Sequence, residues 1–417
     1  MNIHCLRLNS ISIYFTKVGK MKELLLHIGF HKTATTSIQE TCKENIDSLK
    51  AQGLFYPIFC IDDRKLSNHS VPMFSMFCPF PSAYHMNIRW GYSDRIEKVN
   101  SIYMEQLNSF FSQNDKILIS GEDISLLPEN SIANLLNFFE QRGFNVKAFC
   151  SVRRPYSFFC SSHQTNIRFG TESFKVPTKS DDVVKLRNVF GEKIHFFSFE
   201  EDCKHPLGPV GAFLERVGIN CEQLNIVNDA NKGIGNLTTR LYAHLNKEFP
   251  IFKDGQLNPK GRSQKIWNFD EDKFLLTEEE LTIVIKDLDK ENSKLSFILG
   301  DVFSDKNYRT SKPFRIKKDL ALEIYEKAAK PEYVSKSVLK FIHSHCDFPL
   351  YELAESLSTN ASLLRDIALL TEESDLPRSY ELMKQAHNIR PSGPFISKKL
   401  VEYRKKLNHI NSQSYNQ

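Results

Sequence analysis

Short apolar runs recur through the first half of the chain, and each breaks off in a turn of small or polar residues. They span Leu24 to Ile28, Lys116 to Ser120, Val146 to Val152 and Lys193 to Glu201, and they are rich in the branched and aromatic side chains that suit strands. Between and after them apolar residues return every three or four positions. This holds for 38–51, for Ile124, Leu126, Leu127, Ile132, Leu135 and Leu136, and for 209–219, a short amphipathic stretch closed by Gly218. Strand-like runs alternating with helix-like ones predict an α/β fold with a mostly parallel central sheet. From 236 to 289 the pattern reads as helical with charged breaks. After Lys318 only helical spacing remains, in Leu320, Leu322, Ile324 and Tyr325, in Leu363, Leu364, Ile367 and Leu370, and in Tyr380, Leu382, Met383 and Ala386. With breaks at 375–377 and 391–394, this predicts a helical C-terminal region over 316–417, a docking appendage to a main domain at 21–315. Residues 62–92 fit neither period and read as a long irregular segment rich in aromatic, histidine and proline residues. Long loops in compact domains tend to be functional. Residues 1–20 read as a dispensable leader, with Met21 the expected natural start.

The first run carries the most chemistry. From Leu24 to Thr41 an apolar strand enters a turn bearing Lys32 and the hydroxyls of Thr33, Thr35, Thr36 and Ser37, and a helix follows. Such a unit aims backbone N–H groups and the positive end of a helix at an anion, and the lysine adds a full charge. The turn therefore reads as a phosphate cradle. His31 is placed to donate to the same phosphate, whereas His27 lies within the strand and reads as packed. The loop departs from the G-x-x-x-x-G-K-[ST] pattern of nucleotide hydrolases: its lysine comes early, and Ala34 stands where a second glycine belongs. An alanine there matters only if its φ is positive, at a cost on the order of 1 kcal/mol or more. A kinase or other phosphate-binding module of P-loop-like fold is the alternative reading.

Taken with Val146 to Tyr156, the cradle resembles the sulfotransferases that use 3′-phosphoadenosine 5′-phosphosulfate. Their first loop reads Lys-x-Gly-Thr-Thr, which Lys32-Thr33-Ala34-Thr35-Thr36 matches except at Ala34. Their second motif is an arginine at a strand end with a serine eight positions later, matched by Arg153 and Ser161, and it implies a hold on the donor's 3′-phosphate. A guanidinium suits a phosphate, which it binds through parallel hydrogen bonds. The strand before the arginine strand ends in the catalytic base of that family, and here it ends in Glu122. The resemblance covers roughly residues 22–315 and implies a P-loop-like three-layer αβα fold, the phosphosulfate donor as co-substrate and no metal. It gives Lys306 and Arg309 by position only as further contacts to the 3′-phosphate. Glu122 also suits the start of a helix. His69 is a candidate near the acceptor or a structural hydrogen bonder, and His85 a weaker one.

Composition adds limits. Over 417 residues, 41% hydrophobic and 25% charged content are ordinary for a globular enzyme, and a net charge of +5 without a basic stripe argues against nucleic acid. The nine cysteines are scattered and lack the close pairs of a zinc site, so they read as free thiols in a reducing, cytoplasmic setting, with Cys150 and Cys160 packed beside the arginine motif. No stretch reaches the roughly 18 apolar residues of a membrane span. The expected acceptor is a glycan or another molecule bearing a hydroxyl or amine, with the aromatics of 62–92 offering faces for sugar rings.

Overall fold

The computed structural model describes residues 22–228, 233–356 and 359–414, so the expected leader and Met21 lie outside the described residues. The chain divides into two compact units, Met1–Arg153 with Lys179–Asn231, and Arg154–Thr178 with Lys232–Gln417. Residue 315, where the sequence suggests a boundary, lies inside the second.

The first unit contains strands β1 (Lys22–His27), β2 (Phe59–Ile61), β3 (Arg64–Leu66), β4 (Lys116–Ser120), β5 (Phe144–Val152) and β6 (Ile194–Ser198). Helices α1 (Thr35–Glu44), α2 (Ile46–Ala51), α3 (Ser70–Phe77), α4 (His85–Arg89), α5 (Ile96–Gln113) and α6 (Glu129–Glu140) precede α7 (Pro155–Arg168), which belongs to the second unit; α8 (Lys179–Phe190), α9 (Phe199–Asp202) and α10 (Gly208–Arg216) return to the first. The central sheet runs β4-β1-β5-β6, every pair parallel, while β2 and β3 form a separate antiparallel hairpin. Alternation along β1 sends Leu25 to one face and Leu24 and Leu26 to the other. Leu25 packs with Leu118 and Phe149 against Ile38 and Cys42 of α1 and Phe213 of α10. The opposite face is covered by α6, which packs on β5 and buries Ile132, Leu135 and Phe139. The result is the three-layer α/β fold the sequence implies.

The edge of β4 is covered by chain. Phe55 bridges Ile117, and beyond it the His69 amide donates to the Ser120 carbonyl at 2.9 Å. The segment 62–92, expected to be irregular, is mostly folded into β3, α3 and α4. Its aromatics are largely spent on packing, with Tyr84 and Tyr92 buried.

In the second unit α7 packs against α11 (Asn236–Glu248) and α12 (Glu278–Leu299), the latter opened by a capping box in which Thr277 and Glu280 satisfy each other's N–H groups. The expected helix over 236–289 is broken, because 249–276 is fastened by side chains instead of backbone periodicity. The buried Arg262 guanidinium donates to Asn246 Oδ1 (2.6 Å) and to the carbonyls of Ile167 and Arg168 at the end of α7 (3.1 and 2.7 Å). Helices α13 (Lys318–Ala328), α14 (Ser335–His345), α15 (Tyr351–Ser356), α16 (Ala361–Thr371), α17 (Leu376–Ile389) and α18 (Pro394–Ser414) form the helical C-terminal region, with breaks where the sequence puts them. Asp375 caps α17 by accepting from the Arg378 amide at 3.1 Å.

Two buried imidazoles set a pH limit on the first unit. Burial, with the Arg216 charge adding to it, holds the pKa of His27 at about 3, and burial against the opposing Pro57 hydrogen bond holds that of His69 at about 4. An unfolded histidine titrates near 6.5, so below that pH the unfolded chain takes up protons that the native rings refuse. Stability should be complete above about pH 6.5 and fall toward pH 4 by about 1.4 kcal/mol per pH unit for each ring. Urea midpoints measured across this range test it, and a flat profile would mean that the rings are not buried neutral.

Candidate functional site

The loop between β1 and α1 is shaped by backbone strain. Lys32 and Ala34 both take left-handed conformations, with φ of 67° and 61°. Position 34 is thus one where glycine would be at ease and alanine is strained. Gly29 has a different reason: a Cβ there would lie 2.7 Å from His27 Nε2, so the loop can cross over the buried imidazole only without a side chain.

The helix that follows has no side-chain cap, and its first internal bond joins the Ile38 amide to the Ala34 carbonyl at 3.0 Å. The N–H groups of Thr35, Thr36 and Ser37 therefore have no acceptor among the described residues. Three donors at the positive end of a helix, behind a lysine, suit an anion. The hydroxyls are less available than the sequence suggests. Thr33 is buried and donates to the Phe30 carbonyl, and Ser37 donates to the Asn228 carbonyl at 3.5 Å. The hydroxyls of Thr35 and Thr36 make no hydrogen bond among the described residues.

Register brings the other candidates of this unit to the same sheet edge. His27 pairs with Ser120 on one side and Phe149 on the other, so β1, β4 and β5 present their carboxyl ends together, where ligands gather in open α/β sheets. The Arg153 guanidinium donates to the Lys32 carbonyl at 2.9 Å, lies 5.0 Å from the Phe199 ring centre and has Glu200 Oε1 4.0 Å away. It braces the cradle through the Lys32 carbonyl.

Glu122 opens a short turn of 3₁₀ helix after β4 and is half-buried. Its carboxylate accepts from Gln39 Nε2 on α1 (3.0 Å) and from Asn68 Nδ2 (3.4 Å). Asp123 is buried, accepts from His31 Nε2 at 3.0 Å and from the Tyr84 hydroxyl, and donates its own N–H to Ser70 Oγ at 3.2 Å. Burial pushes the Asp123 carboxyl up, but the bonds from His31 and Tyr84 and the His31 and His85 charges outweigh it and hold it below the ordinary value. Burial and the Asp123 charge push the Tyr84 phenol far up, so it stays a donor.

His69 does not serve as a catalytic group. It is fully buried, its Nδ1 accepts from the Ser120 amide at 2.9 Å, and its Nε2 lies 2.7 Å from the Pro57 carbonyl. Both nitrogens are spent on backbone, and the ring is a latch between segment and sheet. Gln39, Asn68, Asp123 and Tyr84 join the site with no motif of their own to announce them. Gln39, four residues after Thr35 and so on the same face of α1, was within reach of reasoning; Asn68 and Tyr84 arrive through contacts no local pattern reveals.

In the second unit Ser161 is half-buried on α7, its carbonyl accepting from Thr165. The start of α7 is taken by Asp305, which accepts from the Tyr156 amide at 2.8 Å; Lys306 and Arg309 are exposed beside it. Burial raises the pKa of the Cys150 thiol, which gives it no reactive character. Among the described residues no group of three metal-ligating side chains occurs, and no helix is long and apolar enough to cross a membrane.

No family model matches the sequence, and no curated protein matches it. Among solved structures the chain is similar to a sulfotransferase from Alicyclobacillus acidocaldarius, at 11% identity over 67% of this chain and 96% of that one, with a TM-score of 0.38. It is also similar to a retinol dehydratase solved with androsterone and the inactive cofactor PAP, at 13% identity over 69% of this chain and 82% of that one, with a TM-score of 0.29.

The strain at position 34 is directly measurable. Ala34→Gly relieves a left-handed alanine at some cost in unfolded-chain entropy, so the variant should be more stable by about 0.5–1 kcal/mol in chemical denaturation. A loss of stability would show that the residue does not sit at positive φ.

Proposed function

We propose that this protein is a cytoplasmic sulfotransferase that moves a sulfo group from 3′-phosphoadenosine 5′-phosphosulfate to a hydroxyl, or an amine, of a glycan-type acceptor. The observation that carries this reading is the N-terminus of α1, which has no side-chain cap and whose Thr35, Thr36 and Ser37 N–H groups find no acceptor among the described residues, behind the strained Lys32 turn. That array suits the doubly anionic phosphosulfate end without a glycine-rich loop. Lys32, His31 and the backbone of Thr33 and Ala34, with Thr35, Thr36 and Ser37, are assigned to it. Arg153 and, by its place in the sequence motif, Ser161 are assigned to the 3′-phosphate.

In the reaction the acceptor oxygen forms a bond to sulfur as the bond from sulfur to the bridging phosphate oxygen breaks. Glu122 takes the proton that the acceptor hydroxyl gives up, within a carboxylate site that Gln39 and Asn68 orient. Lys32 and the loop amides stabilise the charge that grows on the departing phosphate. An acceptor with sugar rings is supported by Phe80, which is 76% exposed in the segment between cradle and catalytic strand and offers an apolar face. Labelled donor supplied to a panel of glycans, phenols and lipids tests that choice, and sulfation of phenols alone would rule out the glycan.

Donor identity is tested by melting. The nucleotide 3′-phosphoadenosine 5′-phosphate should raise the melting temperature more than ATP with magnesium does, and an equal or reversed shift would favour the kinase reading. Glu122→Gln should leave that shift nearly intact and lower turnover about 10²-fold or more, the size usual for acid–base groups. Lys32→Ala should reduce both.

A further inference from the structure

His31 stands in the cradle with one nitrogen committed and the other open. Its Nε2 is 3.0 Å from Asp123 Oδ1, and an ionised carboxylate can only accept, so Nε2 carries a hydrogen. Asp123 is fixed in turn by the Tyr84 hydroxyl and by Ser70. In neutral His31 the remaining nitrogen, Nδ1, is therefore a bare lone pair. The side chain is 41% exposed, beside Lys32 and four residues before the start of α1 at Thr35. Phosphate and sulfonate oxygens offer lone pairs only, and two lone pairs repel. An anion can meet Nδ1 favourably only when a second proton is present.

We propose that His31 is a proton-linked donor-binding residue: it takes up one proton from solvent at Nδ1 as the phosphosulfate end settles in the loop, and Asp123, backed by Tyr84, holds the imidazolium in place. This rests on the reading of the loop as the anion site. The charged and titratable groups around the ring are Asp123, with Tyr84 and His85 behind it, Lys32 beside it, Glu122 next to Asp123, and Lys179, whose ammonium lies 4.9 Å from the centre of the neighbouring Phe30 ring. Asp123 and the incoming anion favour the extra proton, and Lys32 opposes it. The assignment makes His31 a conditional charge where Lys32 is a permanent one, and it gives the Tyr84–Asp123 pair a purpose beyond packing.

Calorimetric titration with 3′-phosphoadenosine 5′-phosphate, in two buffers of different ionisation enthalpy, reads the proton count. The second ionisation of a phosphate monoester is complete above about pH 7, so the ligand does not contribute there. The wild-type chain should take up a fraction of a proton, and its affinity should fall as the pH rises, by at most about tenfold per pH unit. His31→Asn keeps a polar, neutral side chain on a partly exposed loop and should bind with no uptake and a flattened slope. Asp123→Asn should also diminish the uptake. If the wild type binds with no proton uptake, or His31→Asn keeps it, the inference fails while the donor reading stands. If uptake is absent from binding and His31 instead shapes the pH profile of turnover alone, the inference fails in favour of a role toward the acceptor. If the nucleotide does not bind at all, the donor reading falls and this inference with it.

Discussion

The first unit hangs its chemistry on one dipeptide, Ser120-Gly121. The Ser120 amide donates to His69, its carbonyl accepts from the His69 amide and from Gln39, and its hydroxyl meets His27 Nδ1 at 2.8 Å. Gly121 donates to the His27 carbonyl at 3.0 Å, and a Cβ on it would lie 2.6 Å from the Ser70 amide nitrogen. Strand end, cradle helix and covering segment therefore meet where no side chain fits, and Glu122 and Asp123 come next in sequence. Their positions follow from this junction: Glu122 meets Gln39 of α1 and Asn68, and Asp123 meets His31 of the loop.

The same tightness explains why the loop is strained and open at once. Arg153 holds the Lys32 carbonyl, Thr33 spends its hydroxyl on Phe30, and the buried His27 ring presses under Gly29. These contacts fix the backbone in two left-handed turns that non-glycine residues resist, and strain of this kind persists only where surrounding structure over-determines it. What the contacts leave unmet is the first turn of α1. A helix end with no cap costs stability unless something satisfies its N–H groups, and here the candidate for that role is a ligand.

How much of this was legible in the sequence depends on which forces were local. The α/β order is legible in the unbroken apolar runs Leu24 to Leu26 and Ile117 to Ile119, which are buried on both faces as parallel central strands are, and in the helical repeats between such runs. The cradle was legible through Lys32 and its hydroxyls, and the condition on Ala34 could be stated before its φ was known. The segment 62–92 is illegible in the sequence because its order comes from tertiary bonds, the Pro57–His69–Ser120 latch and the Tyr84–Asp123 contact, which have no period. His69 looked chemical for the same reason: a histidine in a polar context shows its titratable ring and hides the two backbone groups that neutralise it. Arg262, which fastens 249–276, shows the same effect in the second unit.

The adjacent acids show how burial sorts like residues into different tasks. Asp123 is buried and meets a phenol and an imidazole, partners that lock its charge and use up its oxygens. Glu122 is half-buried and meets two neutral amides, which orient a carboxylate without cancelling its charge. A group that must accept a proton needs lone pairs facing open space and a charge not already claimed by a cation. By that standard Asp123 is a support, and the proposed role of base falls to Glu122. The division follows from the turn after Gly121, which points one side chain toward α1 and Asn68 and the next beneath His31.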